Sequence, residues 1–296
     1  MSGASGFLGT AVCRVLEREG WEIFRLTRRP RTSEREIEWD PGASRISAAE
    51  LEGHDLVLHL SGATVATRWT RDSKERIWQS RVDSTRLLAE TLSRLARPPA
   101  TFISVSGIGI YGDRGEELLD ESSASGAGFL ARLAVAWEHA TTPAADAGIR
   151  VVIPRLGMVI GAGGGALAPM LLPFRLGLGG PLGGGRAWWS WIALDDVISG
   201  IQFAIRSSTL AGPVNFVAPV PVRSGDFVRA LGRALRRPAF LPVPAALLRL
   251  VLGEMADEVV LSSAFVHPVR LLATGFPFRH PHLESALAAA LNASGD

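Results

Sequence analysis

The stretch that decides the fold is the first one, residues 1–20, MSGASGFLGTAVCRVLEREG. Gly3, Gly6 and Gly9 make a G-x-x-G-x-x-G loop that runs straight into an apolar-periodic helix ended by Gly20. This is how a dinucleotide pyrophosphate is held. The first glycine permits a tight turn, the second lets the backbone approach phosphate oxygens, and the third lets the helix pack closely on a sheet. The free N–H groups and positive dipole end of the helix then face the phosphates. Three glycines alone also suit a small-residue turn. The helix, strand and charged turn that follow at the proper distances favour the nucleotide reading. A loop of this kind normally follows a buried strand of about five or six residues, and here only Met1 and Ser2 precede it.

Working outward, apolar runs of strand length alternate with helical periodicity, the pattern of a parallel sheet with crossover helices. Strands are expected at WEIFRLT (21–27), DLVLHLSGA (55–63), ATFISVSGIGIYG (100–112) and RVVIPRLGMVIG (150–161), with helices over 7–20, 71–96 and about 128–147. A Gly/Pro-rich run, GAGGGALAPMLLPFRLGLGGPLGGG, then precedes WWSWIALDDVISGIQFAI, and the last eighty or so residues are helix-rich. The fold class is therefore α/β: a doubly wound, parallel, Rossmann-like sheet with a small helix-rich C-terminal lobe. Three regions are expected: 1–160 as the nucleotide-binding domain, 161–240 as remaining strands and cleft loops, and 241–296 as the C-terminal helical domain. In such sheets a ligand sits at the carboxyl ends of the strands.

The second strand sets the cofactor. An NAD-preferring site usually carries an acid there to hold the ribose diol. This chain has FRLTRRPR instead, with Thr27 followed by Arg28 and Arg29. Guanidinium groups in that turn suit a 2′-phosphate, which points to NADP (NADPH). A solvated basic turn is the plainer alternative. HLSGA (59–63) ends a strand in small residues, as a chain passing close beneath a cofactor requires, and His59 reads as a core hydrogen-bonding residue. SVSGIGIYGD brings Ser104, Ser106 and Tyr111 near the expected nicotinamide position. Their hydroxyls suit either polarising a substrate carbonyl or satisfying buried backbone groups. Asp195 and Asp196 open a helix, where Asp195 reads as an N-cap.

Bulk composition excludes several classes. Lys and Arg number 31 against 29 Asp and Glu, which leaves no cationic surplus for a nucleic-acid groove. The six histidines are scattered, and no His/Cys spacing resembles a metal-ligand set. Cys13 is the only cysteine, so an intrachain disulfide is impossible and a reducing compartment is expected. Its helical spacing makes it a small core residue. No signal peptide is visible, and the uncharged run 156–174 is broken by glycines and prolines. The expectation is a cytoplasmic protein without membrane or nucleic-acid partners.

Together SGASGFLG, LTRRP, WDP, LHLSGA, SRVDSTRLL, SVSGIGIYGDRGEE, FLARLAVAWE, RLGMVIGAGGGAL and the tail PAFLPVPAALLRLVLGEMADEVVLSS resemble the extended short-chain dehydrogenase/reductase superfamily. They are most similar to its atypical, epimerase-like branch (the 39U family) with that branch's own C-terminal domain. The resemblance implies a cofactor surface made by Gly3, Ser5, Gly6, Phe7, Leu8, Thr27, Arg28, Arg29, Leu60, Ser61, Gly62, Ala63, Arg81, Ser104 and Arg155. It implies oxidoreductase or epimerase-like chemistry on a small hydroxyl, carbonyl or nucleotide-linked substrate. Two departures matter. The superfamily's Tyr-x-x-x-Lys pair cannot be built, because the only tyrosine is Tyr111, the only lysine is Lys74, and Phe129 and Leu133 fall where the pair belongs. Ser106, Tyr111 and Glu138 are the remaining proton-donor candidates, and a non-catalytic NADP-binding protein is the competing class. Second, family members have an apolar strand before the loop, so the expectation is a start further upstream, with the 21–27 and 55–60 strands otherwise left without partners.

Overall fold

In the computed structural model, residues 1–292 are described. Helix α1 (Phe7–Arg18) buries Gly9, Val12, Cys13 and Leu16, one side of a 3.6-residue period. Strand β1 (Arg25–Thr27) pairs in parallel with β2 (Glu36–Asp40). Then come β3 (Leu56–His59), helices α2 (Arg71–Gln79) and α3 (Val82–Leu92), β4 (Thr101–Ser104), α4 (Phe129–His139) and β5 (Arg150–Leu156). Next are β6 (Met158–Gly161), β7 (Trp191–Ala193), α5 (Leu194–Arg206) and β8 (Gly212–Phe216), before α6 (Ser224–Leu235), α7 (Ala245–Leu252) and α8 (Leu283–Asn292). The central parallel sheet runs β8-β5-β4-β3. Helices on both faces bury its strands, so Val57, Leu58, Phe102, Ile103, Val151, Val152 and Ile153 are all core.

Met1 and Ser2 join β3 to β1. Ser2 N–H donates to Leu58 O (3.0 Å), Leu60 N–H donates to Ser2 O (3.4 Å) and Leu26 N–H donates to Met1 O (2.8 Å). The expectation that both neighbouring strands lose their partners is thus corrected for their C-terminal halves. Two residues suffice to bridge the carboxyl ends, where the glycine loop begins.

Several elements are shorter than their apolar runs. The 21–27 strand is ordered as a ladder only over 25–27. The helix expected over 71–96 breaks at Arg81, whose φ of −115° and ψ of −62° interrupt it before a second helix starts at Val82. The 150–161 strand splits at Gly157, where the chain leaves the central sheet: Gly157 N–H donates to Phe216 O and Met158 N–H to Ser190 O. A β-carbon at Gly157 would lie 2.8 Å from Ser190 O, so the crossing requires glycine. Beyond it β6 pairs with β7, and α6 and α8 pack on that pair through Phe227, Leu231, Leu283 and Leu287. The C-terminal lobe is tied back to the first half. Phe265–Val266 pairs with Leu118–Leu119, and the buried Asp196 carboxylate accepts from the backbone N–H groups of Arg279 and His280. The N-cap of α5 is Ala193 rather than Asp195.

Candidate functional site

The glycine loop has the geometry its spacing demands. Gly3 has φ +67°, and a β-carbon there would sit 2.7 Å from the carbonyl carbon of Leu60. One at Gly9 would sit 2.0 Å from Gly3 O, so α1 passes directly over the loop only because position 9 is bare. Gly6 is the N-cap, extended, with no side-chain cap on the helix and no acid in its first turn. The first-turn N–H groups therefore remain available to an anion. Beneath the loop, Ser2 Oγ and His59 Nδ1 lie 2.5 Å apart, and His59 Nε2 lies 3.2 Å from Ser84 Oγ. Burial pushes the imidazole down to about 3, so it is neutral and serves as a core strut, as the sequence suggested. The turn Gly161–Gly165, read from sequence as open cleft wall, instead lies on Phe7: a β-carbon at Gly164 would be 2.3 Å from that ring.

At the end of β1, Thr27 Oγ1 accepts from Arg29 N–H at 3.1 Å and fixes the turn. The flanking Arg25 and Arg31 are paired with Glu17 and Glu50. Arg28 and Arg29 are exposed and have no carboxylate partner among the described residues. Behind β3, the loop carrying Leu60, Ser61, Gly62 and Ala63 rests on Arg81. Its Nη1 donates to Ala63 O at 2.9 Å, its guanidinium lies 5.2 Å over the Trp137 ring, and a β-carbon on Gly62 would approach it to 2.9 Å. Burial pushes Arg81 down to about 10, and no carboxylate among the described residues pairs with it. A desolvated cation without a counter-ion is costly unless an anion comes to it. At the end of β4, the hydroxyls of Ser104 and Ser106 are buried with no hydrogen-bond partner among the described residues, which leaves both open to a ligand atom or a water.

The other candidates meet one another. Tyr111 is completely buried; its hydroxyl donates to Asn215 Oδ1 (2.7 Å) and accepts from Arg155 Nη1 (2.9 Å). Arg155 Nε and Nη2 grip the Glu138 carboxylate, each at 2.8 Å. Burial raises the Tyr111 phenol. The two bonds to Glu138 keep Arg155 charged against its own burial, and its value is raised. Arg155 stands beside Ser106 across the ladder, yet Ser106 Oγ bonds to none of this set. The structure thus joins Tyr111, Arg155 and Glu138 into a closed network and leaves the two serines outside it.

Where the superfamily pair would lie, Phe129 and Leu133 are buried. The Phe129 ring packs edge-on against Trp69 at 5.1 Å, with the Lys74 ammonium 5.1 Å above it. Lys74 is paired with Glu254 from the C-terminal lobe, and Glu258 accepts from the Phe129 and Leu130 N–H groups, both at 2.7 Å. Gly128, at φ +105°, makes room for that carboxylate. Sequence reasoning missed Lys74 and Glu258, because their partners lie about 130 to 180 residues away in the chain. Among the described residues no His, Cys, Asp and Glu side chains group as a metal site, and no helix is long and apolar enough to cross a membrane.

A glycine loop at a strand–helix junction, with a parallel sheet behind it, is matched at the level of families. The profile of the NAD dependent epimerase/dehydratase family covers residues 1–216, and a domain of unknown function, DUF1731, covers 243–290. The chain belongs to the NAD dependent epimerase/dehydratase family. It is 37% identical to an epimerase family protein of Mycobacterium bovis over 100% of this chain and 98% of that one. It is 34% identical to the human epimerase family protein SDR39U1 over 97% of each chain. The crystal structure of human SDR39U1 (isoform 2) with NADPH superposes with a TM-score of 0.90 at 32% identity, covering 98% of both chains. A nucleoside-diphosphate sugar epimerase from Corynebacterium glutamicum gives 0.82 at 34%, with 98% of this chain and 57% of that one covered. UDP-glucose 4-epimerase of Thermus thermophilus, at 17% identity and a TM-score of 0.77, shares the fold. The epimerase-like branch and Rossmann-like fold expected from sequence are both shown.

Proposed function

We propose that this chain binds NADP(H) and acts as an atypical short-chain dehydrogenase/reductase on a small hydroxyl, carbonyl or nucleotide-linked substrate. The observation that carries the cofactor choice is the end of β1: no acid for a ribose diol, and two arginines, Arg28 and Arg29, left unpaired while their neighbours are paired. The human relative solved with NADPH supports the same choice. Gly3, Ser5, Gly6, Phe7 and Leu8 would hold the pyrophosphate, Ser61 to Ala63 would run beneath the ribose, and Arg81 would supply the buried positive charge. A bound nicotinamide supplies or accepts hydride. Ser104 and Ser106, whose hydroxyls have no other partner, would orient the carbonyl end of a substrate or the nicotinamide amide. Ser106 is the candidate proton-handling group, since Tyr111 and Glu138 are already committed to Arg155.

Titration of the chain with NADPH and then NADH by calorimetry tests this reading. Micromolar NADPH binding, at least tenfold tighter than NADH, is expected; equal affinity for both, or none, contradicts it. A second reading, a non-catalytic NADP-binding regulatory protein, draws on Phe129 and Leu133 standing where the acid–base pair belongs. Substrate-dependent oxidation of bound NADPH separates the two, and a Ser106→Ala chain with unchanged turnover removes that serine from the chemistry.

A further inference from the structure

The turn after α7 in the C-terminal lobe reaches the first half of the chain at three points that stand together. Its residues Ala256–Val260 form one turn of π-helix, a rare geometry that recurs at functional sites. Glu254 is paired with Lys74 of α2. Glu258, four residues on, accepts from the Phe129 and Leu130 N–H groups at the start of α4, both at 2.7 Å. Between the two carboxylates, Met255 is 7% exposed and enters the cluster of Trp69, Val105, Phe129 and Leu133. It therefore packs where the superfamily's acid–base pair falls, next to Val105, the residue before Ser106. These ties are few. Helix α7 has no buried residue, and of residues 254–261 only Met255 and Ala256 are buried. Among the described residues, the stretch 244–261 makes one further polar bond to the rest of the molecule, from Trp189 Nε1 to Val260 O at 3.3 Å. The chain is anchored on both sides of it: Val243 N–H donates to Pro181 O (2.9 Å) and Ser263 N–H to Asp113 Oδ1 (3.2 Å). Gly253 joins α7 to the turn. It has φ +64°, and a β-carbon there would meet nothing within 4 Å, so the backbone has room to swing.

We propose that residues 254–261 are a lid, shut in this structure over the end of β4 by a two-carboxylate latch and opened by a swing at Gly253. The inference rests on the reading that a substrate meets the nicotinamide beside Ser106, and it names what guards that approach. The chemistry of the contacts separates a lid from a permanent brace. A brace is knit by interdigitated apolar side chains whose separation leaves cavities. Here the hold is charge and hydrogen bonding at the rim. The Lys74 and Glu254 side chains are 28% and 45% exposed, so water takes over both when they part, at little cost. The plug is a methionine, unbranched and flexible, which leaves and re-enters a packed site without demanding one shape. Opening frees the first two N–H groups of α4 and the Lys74 ammonium together, and withdraws Met255 from the aromatic cluster. Shut, the lid keeps water from the end of β4; open, it admits a substrate. Because Glu254 and Glu258 stand on one short turn, loosening either loosens the other.

Lys74 is the only lysine of the chain, so acetylation by an N-hydroxysuccinimide ester, followed by digestion and mass spectrometry, reads one side chain apart from the terminal amine. Each half of the latch is cut and read at the other half. Glu258→Gln is expected to raise the Lys74 acetylation rate at least about fivefold, and Glu254→Gln to speed amide exchange at Phe129 and Leu130 by about the same factor. Phe102 and Ile103, in the core strand β4, should exchange at the parent rate in both chains. Glu254 lies at the surface, so its variant should fold, and it decides the matter alone where the Glu258 variant does not. An effect confined to each residue's own partner, an effect in one direction only, or an acceleration shared by Phe102 and Ile103 would overturn the lid. These readouts involve no nucleotide, so their failure is distinct from failure of the NADP reading.

Discussion

Two sets of polar side chains stand around the central sheet, and they differ in one respect. Around Tyr111, Arg155, Glu138 and Asn215 each charge has its counter-charge and the phenol has both a donor and an acceptor. Around the glycine loop the opposite holds: among the described residues Arg28, Arg29 and Arg81 have no carboxylate, and Ser104 and Ser106 have no hydrogen-bond partner. Burial alone does not separate the sets, since Ser104 and Tyr111 are both core. What separates them is whether the protein meets its own polar groups. A closed set stabilises the fold; the open set beside the glycine loop is the one we propose meets the nucleotide.

The comparison can be broken most forcefully at the closed set. Arg155→Met leaves the Glu138 carboxylate buried without its partner, which costs about 3–5 kcal/mol of stability. Urea unfolding should show this, while NADPH affinity of the folded fraction stays within about twofold. At the open set, Gly9→Ala places a β-carbon 2.0 Å from Gly3 O, and NADPH affinity is expected to fall at least about a hundredfold, roughly 2.7 kcal/mol, by calorimetry. Replacing Arg28 and Arg29 by alanine should weaken NADPH by about tenfold or more and leave NADH unchanged, with stability unaltered to within about 0.5 kcal/mol. The smallest effect is Ser104→Ala, which removes a hydroxyl that bonds to nothing, so the nucleotide-free chain should melt at the same temperature or slightly higher.

His59 adds a pH test. Its folded value of about 3 lies below the ordinary value of 6.5, so between the two the unfolded chain binds the extra proton. The His59 contribution is fully present above about pH 6.5 and is lost as pH falls towards 3. Melting temperature should decline across that window, and a His59→Gln chain should show a shallower decline. An equal slope in both chains would remove His59 as its source.

Much of this was legible in the sequence. The turn and packing geometry of Gly3, Gly6 and Gly9 was readable because it rests on local spacing, and His59 was readable because it lies within an apolar run. Tyr111 was read towards the nicotinamide from its place at a strand end, and Arg155 came only with the family resemblance. That both are met inside the protein depends on Asn215 and Glu138, one 104 residues from Tyr111 and the other 17 from Arg155, and no local pattern reports that. The break at Arg81 was hidden for the same reason: helical periodicity continues through it, and the contacts of Arg81 with Trp137 and the 60–63 loop come from distant parts of the sequence.

The most direct measurement is amide hydrogen exchange of the chain with and without saturating NADPH. Slowed exchange is expected at residues 3–9, 28–29 and 60–63, with the amides of Tyr111, Arg155 and Asn215 unchanged. Slowing centred on Tyr111 and Asn215, with the glycine loop unaffected, would contradict the assignment of the unmet polar groups to the nucleotide.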